Sequence, residues 1–245
     1  MLARLRSLLV LIARNIFPES RVDPKSFRYL LTKRAVETSV DFVQQHMPHA
    51  EPFETREGLY RFAIDRATKS GLFLEFGVHN GTSINAIAGM IDGKVHGFDS
   101  FEGLPDDGLI PAANDGGVKW YATKMSLGGA MPQVRPNVTL HKGWFDQVLP
   151  GFYREHQGDI ALMHVDSDIY SSAKCVFECS ADRIKPGTII VFDEYLNFDG
   201  WQRHEHRALV EFAAKAGMQY DFIAYNYFGG AAIKVTAIGG SRLKD

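Results

Sequence analysis

Residues 73–83 read FLEFGVHNGTS, an apolar run that ends at a carboxylate, followed by two glycines and a pair of small hydroxyl residues. The apolar run predicts a buried strand, and Thr82 with Ser83 opens a helical pattern. A strand, a Gly-rich turn and a helix in this order are typical of α/β proteins that hold a nucleotide-like ligand at the turn. The same pattern also fits a tight strand-to-helix turn that binds no ligand.

Strand and helix patterns alternate along the chain after this stretch. The predicted strands cover residues 71–78, 94–99, 137–143, 159–166, 187–194, 218–225 and 231–238, and the predicted helices cover residues 26–46, 57–70, 82–91, 144–156, 171–184 and 203–217. The alternation predicts an α/β fold with a doubly wound, Rossmann-like parallel sheet. The last two strands, separated by NYFGG at residues 226–230, predict an antiparallel hairpin at the edge of that sheet.

The composition is that of an ordinary globular protein, with 45% hydrophobic residues, 23% charged residues and a net charge of −2. No cluster of Lys and Arg interleaved with aromatic residues occurs, so nucleic acid is not expected as a partner. The two cysteines, Cys175 and Cys179, lie four residues apart in a predicted helix, where we expect small buried side chains. This cysteine usage fits a reducing compartment, and we expect a cytoplasmic location.

We divide the chain into a helical extension over residues 1–70 and an α/β domain over residues 71–245. The extension begins with MLARLRSLLVLIARNIF, whose apolar run is interrupted by Arg14 and is shorter than the roughly 20 residues of a membrane span. No stable membrane insertion is therefore expected. The segment predicts an amphipathic helix that docks on the core or on another subunit, the latter giving a homodimer; a helix lying on a membrane surface is the alternative.

The hairpin bears on the ligand, because a doubly wound sheet that ends in such a hairpin is the arrangement of S-adenosylmethionine-dependent methyltransferases. Gly77 and Gly81 do not complete the GxGxxG pattern with which a backbone approaches a pyrophosphate. S-adenosylmethionine has no pyrophosphate, and the two glycines would leave room for its methionine part. Glu75 could lie near the cationic amine, directly or through water, and Ser83 is a further candidate contact at the start of the helix.

Two later stretches add candidate contacts to this cofactor. Asp99 ends the next strand, where doubly wound nucleotide-binding folds place the carboxylate that binds ribose hydroxyls, and Ser100 follows it. After the third strand Gly143 precedes Trp144 and Phe145, whose rings could lie near the adenine. The alternatives are that Asp99 caps a helix or forms a turn, and that Phe145 packs under the following helix.

Carboxylates also follow the fourth and fifth predicted strands. Asp166 ends one of them, and Asp193 with Glu194 ends the other. If the strands are neighbours, the carboxylates converge at one sheet edge, and a hard divalent cation would relieve their repulsion. Oxygen ligands favour Mg²⁺, Ca²⁺ or Mn²⁺ over zinc. Asp166 is also a candidate cofactor contact; the alternative for all three residues is helix capping or surface ion pairing.

Five stretches in this order, FLEFGVHNGTS, GFDSFEGLP, KGWFDQVLP, HVDSDIY and VFDEY, resemble the macrocin O-methyltransferase (TylF/MycF/NovP) family of class I S-adenosylmethionine-dependent methyltransferases. The resemblance runs from about Leu72 to the C-terminal hairpin and makes residues 71–245 the methyltransferase domain. It implies that Asp166, Asp193 and Glu194 are the metal ligands and that Asp168 is the general base. Glu194 stands where the family commonly has a second Asp.

By this resemblance the chain is an O-methyltransferase that uses S-adenosylmethionine and Mg²⁺ and acts on a hydroxyl of a sugar in a small natural product or a glycan. The sulfonium methyl is already activated, so the protein mainly aligns an acceptor oxygen and removes its proton. Ile169 occupies the position of the lysine base of catechol-type methyltransferases, so a catechol mechanism is not expected. His204 and His206 are candidate substrate contacts or bases, or solvated residues at a helix start.

Other functional classes share parts of this pattern. A DxD-type metal-dependent glycosyltransferase would use Asp166 and Asp168 but would leave the Gly turn and residues 193–194 unexplained. A nicotinamide-dependent oxidoreductase would share Asp99 but would need a third glycine. A nucleotide-binding protein without catalysis is the remaining alternative. The glycine-containing segment 105–133 has the length of a mobile lid and could carry the specificity for the acceptor.

Overall fold

The computed structural model describes residues 27–68, 70–105 and 125–239. The strands are β1 (Glu51–Phe53), β2 (Leu72–Phe76), β3 (Val95–Asp99), β4 (Val138–Lys142), β5 (Ile160–Val165), β6 (Ile189–Phe192), β7 (Met218–Asn226) and β8 (Ala231–Ile238). The α-helices are α1 (Phe27–His46), α2 (Arg56–Arg66), α3 (Thr82–Ala88), α4 (Phe145–Glu155), α5 (Tyr170–Ser180) and α6 (Glu205–Ala216), with short 3₁₀ turns at Ala181–Arg183 and Trp201–Arg203. The helix predicted at residues 1–17 and the central part of segment 105–133 lie outside the described residues.

The eight strands form one sheet in the order β1-β7-β8-β6-β5-β2-β3-β4. Pairing is parallel except at β8, which runs antiparallel to both of its neighbours, β6 and β7. The predicted doubly wound α/β fold with an antiparallel C-terminal hairpin is confirmed. Because β2, β3, β5 and β6 are parallel, the loops after them meet at one edge of the sheet, which we call the carboxyl edge.

Helices cover both faces of the sheet, and the alternation of side chains along each strand separates two cores. Along β2, Leu74 and Phe76 pack with α4, α5 and α6, whereas Phe73 packs with α2 and α3. Glu75 lies on the face of Phe73 and is fully buried. A carboxylate in this position is costly without partners, so its neighbours matter for the site.

The extension before β2 contacts the rest of the fold through all three of its described elements. Phe42 of α1 packs edge-on against Trp201 at 5.1 Å between ring centroids, and the Ser39 hydroxyl accepts a hydrogen bond from the Asn197 amide at 2.9 Å. α2 contributes buried residues to the second core. β1, which the sequence patterns did not predict, adds a parallel strand beside β7. The boundary at residue 70 stays a prediction.

The two cysteines lie in a helix, as the sequence predicts. Cys175 and Cys179 lie in α5 with their Sγ atoms 4.0 Å apart, and both side chains are half-buried. Among the described helices, none is both long enough and apolar enough to cross a bilayer.

A histidine cluster in the first core generates a prediction about pH. His96 Nδ1 lies 3.0 Å from His141 Nε2, and the ring of His96 packs edge-on against Phe152. Burial, together with the neighbouring His141 and His156, lowers the pKa of His96 to about 4. The folded pKa is below the unfolded value, so the unfolded chain binds the proton first, and stability is lost as the pH falls from about 6.5 to about 4.

We therefore expect His96→Phe to reduce the acid sensitivity of the fold. Phenylalanine keeps the aromatic contact and removes the titrating group, so the loss of unfolding free energy between pH 7 and pH 5 should shrink by about 2 kcal/mol. Urea unfolding at the two pH values measures this difference. The exposed His49 supplies the control, since His49→Asn should leave it unchanged. An equal pH dependence in His96→Phe and wild type would contradict the prediction.

Candidate functional site

A cavity of about 430 Å³ opens at the carboxyl edge of the sheet. It is bounded by the loops after β2, β3, β4, β5 and β6 and by the first turn of α2. Polar and glycine residues from each of these segments line it, among them Arg56, Tyr60, Gly77, His79, Asn80, Ser83, Asp99, Ser100, Gly143, Asp166, Asp168, Asp193 and Glu194. The cavity thus brings the predicted cofactor turn and the predicted carboxylate cluster to one place.

The turn after β2 depends on Gly77. Its φ is +95°, and a Cβ at this position would lie 1.6 Å from the carbonyl oxygen of Asp166. Only glycine fits there without moving the loop after β5. Gly81, with φ of +83°, ends the turn just before α3 and does not line the cavity.

Glu75 lies beneath the turn and is not part of the cavity wall. One of its carboxylate oxygens accepts a hydrogen bond from the Ser83 hydroxyl at 2.7 Å, and the other lies 3.4 Å from Nδ1 of His164. Ser83 itself lines the cavity. Glu75 therefore acts on the cavity through Ser83 in this structure, and direct contact with a ligand stays a prediction.

Asp99 lines the cavity but is already engaged with the backbone. Its Oδ2 accepts hydrogen bonds from the amides of Val78 at 2.8 Å and His79 at 2.7 Å, and its Oδ1 accepts one from Phe101 at 2.7 Å. The carboxylate thus fixes the Gly turn from the side. This structural role was the alternative weighed for Asp99, and it leaves few lone pairs for ribose hydroxyls.

The other predicted cofactor contacts lie on the cavity wall. Gly143, Trp144 and Phe145 form the wall after β4, and Ser100 lies beside Asp99. Phe145 also packs edge-on against Phe76 at 5.9 Å between ring centroids, so the predicted alternative of packing under the helix holds as well.

Four carboxylates meet at the end of β5 and β6. Asp166, Asp168, Asp193 and Glu194 all line the cavity. Burial and then the neighbouring Asp193 raise the pKa of Asp166 well above its ordinary value. Burial and the nearby Asp168 raise the pKa of Glu194 to about 7, and the two side chains share a hydrogen bond. The repulsion expected from the sequence is therefore present.

α2 supplies two partners for Asp193 that sequence reasoning missed. The guanidinium of Arg56 lies 2.9 Å from Oδ2, and the Tyr60 hydroxyl donates to Oδ1 at 3.1 Å. Both residues belong to the predicted extension, far from the motifs in sequence. The sequence pattern of this helix does not indicate where it packs, so nothing predicts that its first turn lies at the carboxyl edge.

Two buried polar side chains below the cavity were missed as well. His164 is fully buried between Glu75 and Asp193, with Nε2 3.9 Å from Asp193 Oδ1. Glu205, at the start of α6, is also buried, and its Oε1 accepts a hydrogen bond from the Ser167 amide at 3.3 Å. A polar residue inside an apolar strand pattern, as in MHV at residues 163–165, is the signal that could have found His164.

The two histidines considered as substrate contacts do not line the cavity. His206 Nδ1 lies 2.8 Å from the Tyr195 hydroxyl, its ring packs against Trp201, and burial lowers its pKa. His204 packs against Phe198 at 5.5 Å between ring centroids. Neither residue is simply solvated, and their aromatic contacts indicate packing roles.

The side chains at the end of β5 and β6 offer ligand atoms that fit a divalent cation. His164, Asp166 and Asp193 each offer a ligand atom, and these atoms lie within 4.8 Å of one another. Carboxylate oxygens from Asp168 and Glu194 line the same cavity. A set dominated by carboxylates fits a hard cation.

A family model described as a methyltransferase domain matches residues 74–195. The 8-demethyl-8-(2,3-dimethoxy-alpha-L-rhamnosyl)-tetracenomycin-C 4'-O-methyltransferase of Streptomyces olivaceus is 31% identical over 107 residues, which are 40% of this chain and 40% of the relative. The match therefore spans about two fifths of the relative's length.

Two solved structures share the fold. The O-methyltransferase NovP superposes with a TM-score of 0.54 at 20% identity, over 74% of this chain and 79% of that one. The calicheamicin methyltransferase CalS11 gives a TM-score of 0.51 at 21% identity, over 88% and 95% of the two chains. The sheet order, the hairpin and the family match agree with the resemblance noted in the sequence. Residues 74–195 thus match a methyltransferase domain, and the chain has the fold of the class I methyltransferases.

Proposed function

We propose that the chain transfers a methyl group from S-adenosylmethionine to a hydroxyl of a sugar, in a natural product or a glycan, and that it uses Mg²⁺. The observation that carries the proposal is the single cavity that holds both the Gly turn after β2 and four carboxylates after β5 and β6. The named activity of the tetracenomycin-type relative supports a sugar-bearing acceptor. The glycosyltransferase alternative gains no support from these matches.

In this proposal the loop residues after β2 and β4 hold the cofactor. The turn at Gly77 leaves open space toward the cavity, Ser83 presents its hydroxyl there, and Trp144 and Phe145 offer apolar surface for an adenine. Asp99 keeps the turn in shape through its three backbone hydrogen bonds. These walls would hold the cofactor in one orientation within the cavity that also contains the carboxylates.

Asp166, Asp193 and Glu194 would hold the cation, which when bound lowers the pKa of an acceptor hydroxyl. Asp168 would take the proton from that hydroxyl, as a general base within hydrogen-bond reach. Its backbone has a φ of +62°, so the chain has left the extended geometry of β5 at this residue. The two acids of the DSD motif can therefore serve different functions although only one residue stands between them.

The cofactor proposal predicts that Asp99→Asn weakens S-adenosylmethionine binding. An amide oxygen cannot accept all three backbone hydrogen bonds, so the Gly turn should loosen and affinity should fall about tenfold or more. Isothermal titration calorimetry measures the affinity, with NAD and UDP-sugars titrated in parallel. Asp182→Asn, at an exposed position, is the matched control. Wild-type binding of NAD in place of S-adenosylmethionine would refute the proposed cofactor.

The cation proposal predicts different behaviour for Asp166 and Asp168. EDTA should abolish methyl transfer to a rhamnoside that the wild-type enzyme methylates, while leaving S-adenosylmethionine binding largely intact. Asp166→Asn should behave like EDTA treatment, with partial recovery in excess Mg²⁺ by mass action. Asp168→Asn should retain cation and cofactor binding but lower turnover by roughly 10²–10⁴-fold, without rescue by Mg²⁺. Asparagine tolerates the positive φ at this position, so the backbone should stay in place.

Metal affinity of the two variants decides the assignment. Loss of the metal in Asp168→Asn and its retention in Asp166→Asn would reverse the two roles. Retention in both would mean that the carboxylate cluster is not a cation site.

A homodimer is the remaining part of the proposal, and α1 supports it with five exposed apolar side chains: Phe27, Leu30, Leu31, Val36 and Val40. Solvent-facing apolar residues in such number on one helix favour burial against another surface. Light scattering on the full chain should therefore give the mass of a dimer, and Val40→Lys should shift it toward the monomer. A monomeric wild-type protein would end this proposal.

A further inference from the structure

A row of polar side chains crosses the sheet beneath the cavity, on the face covered by α2 and α3. Glu75 of β2 and His164 of β5 are direct partners in the parallel register, and Asp193 follows β6 on the other side of His164. Glu75 and His164 are fully buried, and Asp193 is 7% exposed. Burying three such side chains in an apolar face costs free energy, so the row needs a compensating function.

His164 is the centre of this row. Its Nδ1 faces Glu75 Oε2 at 3.4 Å, and its Nε2 faces Asp193 Oδ1 at 3.9 Å. Among the described residues neither ring nitrogen has a hydrogen-bond partner of normal geometry. Both distances are longer than a normal hydrogen bond. A small movement of either carboxylate toward the ring would form one, and hydrogen bonds in such sites often shorten when a ligand binds.

The two carboxylates that flank the ring belong to different parts of the cavity. Glu75 accepts from Ser83, which lines the wall at the predicted cofactor turn. Asp193 lines the predicted cation site and is held from α2 by Arg56 and Tyr60. The Tyr60 ring also packs edge-on against His164 at 5.1 Å between ring centroids, which restricts the rotation of the imidazole.

We propose that His164 is a positioning residue that fixes Glu75 for the cofactor with one ring nitrogen and Asp193 for the cation with the other. This inference rests on the proposed function. His164 offers a nitrogen near the predicted cation site but does not line the cavity, so we assign it contact with the two carboxylates and not with either ligand. Because one rigid ring contacts both carboxylates, the two binding sites are coupled: a ligand that draws one carboxylate toward itself moves the ring relative to the other. Such coupling is reciprocal between the two sites.

Two substitutions separate the two contacts. The side-chain amide of Asn reaches the place of Nδ1, and that of Gln reaches the place of Nε2. His164→Asn should keep the affinity for S-adenosylhomocysteine, the product of the cofactor, and lose affinity for Mn²⁺ by about tenfold or more. His164→Gln should show the reverse. Calorimetry measures the first affinity and electron paramagnetic resonance of free Mn²⁺ the second.

If His164 only stabilised the fold, the two substitutions would not have opposite effects on the affinities for S-adenosylhomocysteine and Mn²⁺. His96 is the matched control, because it is a buried histidine on the other face of the sheet, packed against Phe152. His96→Asn and His96→Gln should lower stability and leave the ratio of the two affinities unchanged. Equal losses of both affinities in the two His164 variants, or no loss in either, would overturn the inference.

The wild-type protein provides a test that does not depend on a folded variant. The Mn²⁺ dissociation constant should change about fivefold or more when S-adenosylhomocysteine is saturating. Binding of both ligands without mutual influence would overturn the role of His164 and leave the proposed function intact. Failure of the wild type to bind S-adenosylhomocysteine at all would instead contradict the proposed function.

Discussion

The site depends on how closely two backbones approach each other at Gly77. The turn after β2 passes so near the carbonyl of Asp166 that a side chain could not be accommodated. Two hydrogen bonds fix this approach: the Asp166 amide donates to Phe76 at 2.8 Å, and the Gly77 amide donates to Phe98 at 2.9 Å. These backbone contacts between strands therefore hold the Gly turn and the carboxylates within one cavity.

The second constraint is electrostatic. Burial raises the pKa values of Asp166 and Glu194, and the neighbouring carboxylates raise them further. Arg56 offsets part of this charge at Asp193. A cation that binds here would compete with the guanidinium of Arg56 for Asp193. α2 therefore takes part in setting the affinity of the site for the cation.

Local sequence patterns predicted most of the fold and the residues of the motifs. The strands are apolar runs with glycine or acidic residues at their ends, and the cavity brings Gly77, Asp99 and residues 166–168 and 193–194 together as their positions at strand ends require. β1 escaped prediction because it has three residues, one of them Pro52, which is tolerated at a sheet edge but gives no strand pattern. Arg56, Tyr60 and His164 were missed because their roles arise from neighbours across the sheet, which periodicity does not report.

The pairing of β1 with β7 has a consequence for how the molecule is made. β1 lies near the beginning of the described chain, and its partner residues 224–226 lie near its end, so this strand cannot join the sheet until the C-terminal hairpin has been synthesised. Pairings between segments so distant in sequence form slowly during folding. α2 follows β1 directly, and it carries the arginine and tyrosine that hold Asp193. A nascent chain would thus leave β1 unpaired until its last strands had been made, and the finished edge strand would mark the completion of the sheet.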